Sequence, residues 1–234
     1  MPIVEAISVT KTYPLGDIAV NALDGVDLAI GQGDFLALTG PSGSGKTTLL
    51  NLIGCLDLPS TGDVRIDGVS TAKLGEASLD RLRSRTFGMI FQSFNLVPVL
   101  NVQENVALPL HLHRLPAEER HARVAGAIAA VGLTPFAASL PDRLSGGQRQ
   151  RVAIARALVT APRLILADEP TASLDSANAF ALIELLQALN REKGVTFVFS
   201  THDDRLLRNV RDVVTLRDGR IETGRQAVVA EAVQ

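Results

Sequence analysis

The nine residues GPSGSGKTT, at 40–48, follow directly on the apolar run FLALT at 35–39. Glycine, serine, threonine and lysine pack no core, so a chain that places them there commits its sharpest turn to something other than burial. Gly40, Gly45, Lys46 and Thr47 satisfy the spacing G-x-x-x-x-G-K-[ST] between a predicted strand and a predicted helix. Gly43 and Gly45 let the backbone curl until successive N–H groups point inward, and the helix starting near Lys46 adds its positive end. Such a cradle holds phosphates, and Ser42, Ser44 and Thr48 complete its candidate residues. Lys46 is placed to reach the β and γ phosphates of a nucleotide, and the Thr47 hydroxyl to complete a Mg²⁺ shell of oxygen ligands.

The rest of the chain supplies the frame this loop requires. Runs rich in β-branched or aromatic residues, at 35–39, 87–91, 163–168 and 195–200, read as buried parallel strands of one sheet. Helical patterns follow at 46–53, at 177–192 and briefly after His202. Between Asn101 and Val159 three segments suit helices and none suits a strand: VQENVALPLHLHRL, AEERHARVAGAIAAVG and GGQRQRVAIARALV. Near the amino end, where the chain opens as a strand, VNALDGVDLAIGQGD and GDVRIDG read as short antiparallel strands with glycine turns. The predicted fold is α/β: a mostly parallel core, an antiparallel side sheet and an inserted α-helical subdomain. One domain, 1–234, is expected, with 1–92 and 161–234 forming the core with its side sheet and 93–160 the helical part.

With 234 residues, 46% of them hydrophobic, the chain can bury one large core or two smaller ones. A formal net charge of -2 gives no global field toward nucleic acid or an acidic membrane, so a polyanion must be bound locally. Cys55 is the single cysteine, which excludes an intramolecular disulfide and fits a small buried hydrophobe in a reducing compartment. The opening residues lack a basic segment followed by a long apolar one, so no secretory signal is expected. The uncharged stretch 124–141 reads as helix, turn and loop because of Gly126, Gly132, Pro135 and Ser139. With no predicted span, work at a membrane requires a partner.

Catalytic groups are expected where the strands end. Asp168 closes the apolar strand of LILADEP and would be costly there without a cation, while Glu169, one residue on, is placed to polarise an attacking water. Gln92 ends the strand at 87–91 and can offer its carbonyl to the metal or water. His202 follows the strand at 195–200 and can donate to a γ-phosphate. Thr47, Gln92 and Asp168 are the candidate Mg²⁺ ligands; Lys46, Glu169 and His202 are the candidate catalytic residues. His111, His113 and His121 read as surface residues of the helical region.

A second phosphate reader lies at LSGGQRQRVAIARAL, 144–158. Ser145 is a natural N-cap, and Gly146 and Gly147 leave backbone N–H groups bare at the start of a helix. Belonging to the helical insert, this feature is expected too far from its own P-loop to share a nucleotide with it. A head-to-tail dimer with two sites resolves the problem, Ser145 and Gly147 of one chain closing over ATP held by the other.

Taken in order, GPSGSGKTT, LSGGQ, LADEPTASLD and STHD resemble the Walker A, signature, Walker B with D-loop, and switch-histidine motifs of the ATP-binding cassette (ABC) transporter ATPases, and the resemblance covers essentially the whole chain. It implies a P-loop NTPase, RecA-like core, ATP and Mg²⁺ as ligands, and ATP hydrolysis coupled to transport. It places Ser145, Gly146, Gly147 and Gln148 in the signature motif acting in trans. It also implies that Tyr13 stacks on adenine, against the alternative of a half-buried strand-end tyrosine, and that Asp175 communicates between protomers. NLIGCLDLPSTGDVRIDG and FGMIFQSFNLVPVLNVQENVALPL are similar to the branch of macrolide exporters, lipoprotein-releasing complexes and the cell-division cassette. Ala172 departs from the glycine common there, which touches only local loop flexibility.

The resemblance further implies a homodimer formed on nucleotide binding, peripheral at the cytoplasmic face of the inner membrane, and a separate integral-membrane permease, with export or lipoprotein release as the activity. Phe94, Leu96, Val97 and Leu100 either suit a groove for a permease helix or pack within the helical region. Two alternatives stand beside this: a cassette transmitting force through a membrane partner to an extracytoplasmic enzyme, and a non-transport ABC ATPase acting on nucleic acid. The latter usually inserts long modules where this chain has only residues 93–143, and RLRSR (81–85) is read as a solvated face, so no nucleic acid is expected.

Overall fold

In the computed structural model, which describes residues 2–16 and 18–227, two sheets divide the strands by environment. β1 (Val4–Leu15) and β2 (Ile18–Ile30) pair antiparallel over their full lengths, from Val4↔Ile30 to Leu15↔Ile18. With β4 (Thr61–Ile66) and β5 (Val69–Ser70) they form a four-stranded antiparallel side sheet ordered β2-β1-β4-β5 among the described residues. The central sheet is built on β3 (Phe35–Thr39), β6 (Phe87–Ile90), β7 (Leu164–Asp168) and β8 (Thr196–Ser200), all parallel, with neighbours β3-β8-β7-β6. The four predicted strands are thus adjacent members of one sheet.

Their continuous apolar composition follows from burial on both faces. Phe35 and Ala37 of β3, Ile165 and Ala167 of β7, and Phe197 and Phe199 of β8 face one hydrophobic cluster. Leu36, Leu38, Leu164, Leu166 and Val198 alternate to the other. Phe35 meets Phe197 and Phe199 edge-on, at centroid distances of 5.7 and 4.7 Å. Each such fully buried ring stabilises the sheet by about 1.5–3 kcal/mol.

Helices cover both faces. α1 (Lys46–Ile53) and α2 (Glu76–Thr86) come before β6 in the chain. Between β6 and β7 the chain makes α3 (Val102–Ala107), α4 (Ala117–Ala130) and α5 (Gly146–Leu158). α6 (Ser176–Lys193) leads into β8, and α7 (Asp204–Leu207) follows it. α3 starts on a full capping box between Asn101 and Glu104 and ends sooner than the pattern at 102–115 predicts, because Pro109 turns the chain into a 3-10 helix at Leu108–Leu112. Stretch 124–141 is helix, turn and a 3-10 turn at Thr134–Phe136, as expected, and no helix among the described residues is long and apolar enough to cross a membrane.

Besides the early end of α3, three elements depart from the sequence reading. β9 (Asp212–Arg217), parallel to β3, and β10 (Arg220–Ala227), antiparallel to β9, extend the central sheet to the order β10-β9-β3-β8-β7-β6. Their turn is the Asp218–Gly219 pair, both at positive φ, a hairpin signal present in RDGR. α2 is the third; only Leu79 and Thr86 of it are buried, so its apolar stripe is too thin to read. It carries RLRSR, where Arg83 binds the Cys55 carbonyl and Asp80, and Arg81 the Ala77 carbonyl at 3.1 Å. Cys55 itself is buried, and burial pushes its thiol up to about 11.

Candidate functional site

The P-loop joins β3 to α1. Gly45, the N-cap of α1, holds φ +102°, and a Cβ there would lie 2.4 Å from the Ala22 carbonyl of β2, so both backbone sterics and the neighbouring strand require glycine. Lys46 is 8% exposed, and its ammonium donates to the Gly40 and Pro41 carbonyls at 2.9 Å each. The cation is folded back over its own loop and satisfied by carbonyl dipoles.

Strand ends bring the acidic groups to the same place. Thr47 at the start of α1 donates its hydroxyl to the Asp168 carboxylate, 3.1 and 3.2 Å from its two oxygens. Ser200, at the end of the adjacent strand β8, also donates to Asp168. Glu169 lies just past β7 with φ +47°, a conformation costly for a residue with a Cβ. Its N–H is held by the Ser200 carbonyl and hydroxyl, both at 3.1 Å. One carboxylate oxygen of Glu169 is 2.8 Å from His202 Nδ1; the other is buried without a hydrogen-bond partner among the described residues. The His202 ring is largely exposed.

A cleft of about 620 Å³ collects these groups: Gly40, Ser42, Gly43, Gly45, Lys46, Thr47, Thr48, Gln92, Asp168, Glu169 and His202 all line it, with Pro41 and Ala22. Ala22 was not foreseen; it arrives because the side sheet packs against the P-loop. Ser44 is not on the wall: it is buried, and its hydroxyl has no partner among the described residues. Tyr13 is not on the wall either. It sits on β1 opposite Val20, its hydroxyl donating to Asp57 at 2.9 Å and its ring 5.0 Å from the Lys11 ammonium. Burial, then the Asp57 carboxylate, raise its phenol above the ordinary range.

The signature residues lie at the start of α5 and do not line that cleft. Ser145 caps the helix by accepting from the Gln148 N–H at 3.2 Å, and the Gln148 side chain accepts from the Ser145 N–H at 2.8 Å. Gly147 abuts α6 so closely that a Cβ would come within 2.3 Å of Asn178 Oδ1. Asn178 is held in turn by Asp175, the N-cap of α6, whose carboxylate accepts from the Asn178 N–H and side-chain amide at 2.8 and 2.7 Å. Those two bonds keep the Asp175 carboxyl below the usual range.

Other candidates resolve variously. His111 and His121 are exposed as expected, but His113 is half-buried, with Nε2 enclosed and unpartnered among the described residues. Leu96 packs against the core, and Phe94 is half-buried under the Arg149 guanidinium, 5.4 Å away. A separate groove of about 280 Å³ runs between β6, α5 and the 3-10 helix, lined by Phe87, Met89, Phe91, Leu112, Asn95 and Arg156. Phe94, Leu96, Val97 and Leu100 are not on its walls.

The family model described as ABC transporter matches residues 23–172, from β2 through the turn after Glu169. The chain belongs to the ABC transporter family. It carries that family's ATPase cassette. The cassette is 48% identical, over 94% of its length and 92% of the relative's, to the lipoprotein-releasing system ATP-binding protein LolD of Anaeromyxobacter dehalogenans. It is 45% identical, over 97% of its length, to the macrolide export ATP-binding/permease protein MacB of Syntrophobacter fumaroxidans, and spans about a third (32%) of that relative. Among solved structures, the cassette MJ0796 of Methanocaldococcus jannaschii, a dimer in a post-hydrolysis state bound to ADP and phosphate, superposes with a TM-score of 0.88 at 44% identity, over 97% of this chain and 99% of that one.

Proposed function

We propose that this cassette is the ATP-hydrolysing, energy-coupling subunit of a transporter, working as a head-to-tail homodimer on a separate membrane permease, in export or lipoprotein release. One observation carries the reading. Lys46, Thr47, Asp168, Glu169 and His202 share a cleft that the signature residues Ser145 to Gln148 do not line. An ATP in that cleft meets a complete set of phosphate and acid–base groups, and lacks the signature unless a second chain brings it.

The donor set fits the expected ligands. No cluster of three or more His, Cys, Asp or Glu among the described residues is placed to hold a metal alone, whereas the paired Thr47 hydroxyl and Asp168 carboxylate suit a hard cation that also takes phosphate oxygens. Thr47, Asp168 and Gln92 would hold Mg²⁺, which supplies charge neutralisation on the β and γ phosphates. Lys46 exchanges its two loop carbonyls for phosphate oxygens, a modest rearrangement because its stem is already packed. Glu169 accepts the proton of the attacking water as the oxygen bonds to the γ-phosphorus and the β–γ bridging bond breaks, leaving ADP and phosphate. His202, at 2.8 Å from the Glu169 carboxylate, orients that base and faces the γ-phosphate side of the cleft. Ser145 of the partner chain caps the helix end whose Gly146 and Gly147 present bare N–H groups to the same phosphate.

Tyr13 remains the candidate for the adenine, approached along β1 beside Thr48. The elements at 93–160 act as the helical subdomain. The groove at Phe91, Leu112 and Arg156 is the natural seat for a permease helix, with exposed Leu112 on its rim. The likeness to LolD supports lipoprotein release, and a peripheral position at the cytoplasmic face of the inner membrane is part of the same proposal. The test is the solution mass of Glu169→Gln with and without ATP and Mg²⁺. The expected result is conversion from monomer to dimer, abolished by Ser145→Arg; a dimer that forms without nucleotide or survives Ser145→Arg contradicts the reading.

A further inference from the structure

α5 reaches the catalytic turn from behind. Gln150, one turn into the helix, is 1% exposed, and its side-chain amide donates to the Pro170 carbonyl at 2.8 Å. A carbonyl only accepts, so the amide has one orientation, and its own oxygen is left buried with no partner among the described residues. An apolar residue of equal length would fill the same space without that orphan but would leave the Pro170 carbonyl without this donor, so the amide is there for the bond to the turn and not for packing alone.

Its partner is informative. Pro170 follows Glu169, whose left-handed backbone must be held in place by its surroundings. β8 holds the Glu169 N–H through Ser200, and Ala172 donates back to the Glu169 carbonyl at 3.2 Å. The Gln150 bond holds the carbonyl of the following residue, so the turn that carries the Glu169 carboxylate is anchored on this side by α5. The first turn of the same helix also lies close to the chain that follows: a Cβ at Gly146 would be 3.9 Å from the Ser173 carbonyl, and one at Gly147 would overlap Asn178 of α6.

We propose that Gln150 is a positioning residue for Glu169, making the placement of the catalytic carboxylate depend on the helix whose first turn carries Ser145 and Gly147. This rests on the reading of Glu169 as the base and of α5 as the partner-facing helix. α5 is continuous from Gly146 to Leu158, so a shift at its first turn carries Gln150 with it. Capture of the partner's nucleotide at one end of α5 then adjusts the base in the helix's own chain, a route from one site of the dimer to the other.

Gln150→Met keeps the length and removes the donor. The expected result is a kcat lowered by about 10- to 100-fold, as for a small misplacement of a catalytic group, with KM for ATP unchanged and the melting temperature lowered only by the few degrees that one unpaired carbonyl costs. Placed on Glu169→Gln, the substitution should slow residual hydrolysis no further and leave ATP-driven dimerisation intact. Gln150→Glu adds a readout that packing would not move: its carboxylate cannot donate to Pro170 but its protonated form can, so its kcat relative to the unmodified protein should rise as pH falls. An unchanged kcat for Gln150→Met, equal slowing in the Glu169→Gln background, or a flat pH ratio for Gln150→Glu overturns the proposal, and the last decides it should Gln150→Met fail to fold. Full hydrolysis by Glu169→Gln alone would instead overturn the reading of Glu169 on which it stands.

Discussion

The two segments proposed to read phosphate, at 40–48 and 145–148, are built differently. Around the P-loop, one chain supplies groups from four strand ends: Thr47 bonds Asp168, Glu169 bonds His202, and Lys46 is bound by its own loop. At the start of α5 the side chains of Ser145 and Gln148 are consumed in capping each other. What the second region offers is backbone N–H, a helix end and one glycine, Gly147, pressed against α6. A catalytic set needs side chains held by neighbours in the same fold, whereas a surface that closes on a partner's ligand needs rigidity and bare backbone. On the proposed function the first region is a site and the second is half of one.

The contrast breaks most visibly at Glu169. Glu169→Gln should lower ATP turnover by about 10²- to 10⁴-fold, the range for loss of a general base, while nucleotide affinity measured by calorimetry stays within a few-fold. Next in size is Ser145→Arg, which should leave ATP affinity of the monomer unchanged yet abolish nucleotide-driven dimerisation in light scattering. Loss of ATP binding in that variant would mean that the signature belongs to the site in its own chain.

Gly147→Ala sharpens the account of the second region. Its Cβ would overlap Asn178 Oδ1, and Asp175 holds Asn178 in place, so overpacking should cost about 1–3 kcal/mol of stability. Adding Asn178→Ala should restore most of it in urea unfolding; no recovery would show that another contact is responsible. The smallest effect concerns Asp203, just past His202. Arg205 and the Thr171 hydroxyl, against the opposing effect of burial, hold its carboxyl down to about 2 from an ordinary 3.8. A depressed carboxylate stabilises the fold above the unfolded value and loses that contribution as pH falls through the folded one. Between about pH 4 and pH 2 Asp203→Asn should therefore show a shallower fall in urea midpoint than the unmodified protein; equal slopes would remove Asp203 from the acid response.

The lining of the cleft was largely legible because its groups follow from strand ends: a buried parallel strand must be apolar, so the first polar residue after it stands out. Asp168, Gln92 and His202 were found that way. Ser200 was not, since a serine ending an apolar strand reads as ordinary. Ala22 carries no chemical signal at all, and only the packing of two sheets brings it to the cleft. Gln150 was hidden inside RQRV, where a glutamine between arginines reads as helix surface; the three-residue step from Gly147 was the available clue that it shares the buried face. Asn178 and Asp203 were missed because their local partners, Asp175 and Arg205, read as ordinary turn and cap chemistry, while Gly147 and Thr171, which give them their place in the fold, lie in other segments. β9 and β10 were visible in principle through RDGR, and α2 was obscured by its scarcity of buried residues.

Whether the second region completes the first in a partner is tested most directly by mixing two inactive variants. Lys46→Ala lacks a working P-loop but keeps its signature; Ser145→Arg lacks the signature but keeps its P-loop. In a head-to-tail dimer the mixed pair contains one intact site, so ATP hydrolysis should appear on mixing and rise to a maximum near equal proportions. A mixture as inactive as either variant alone would place the signature in its own chain's site and contradict the account.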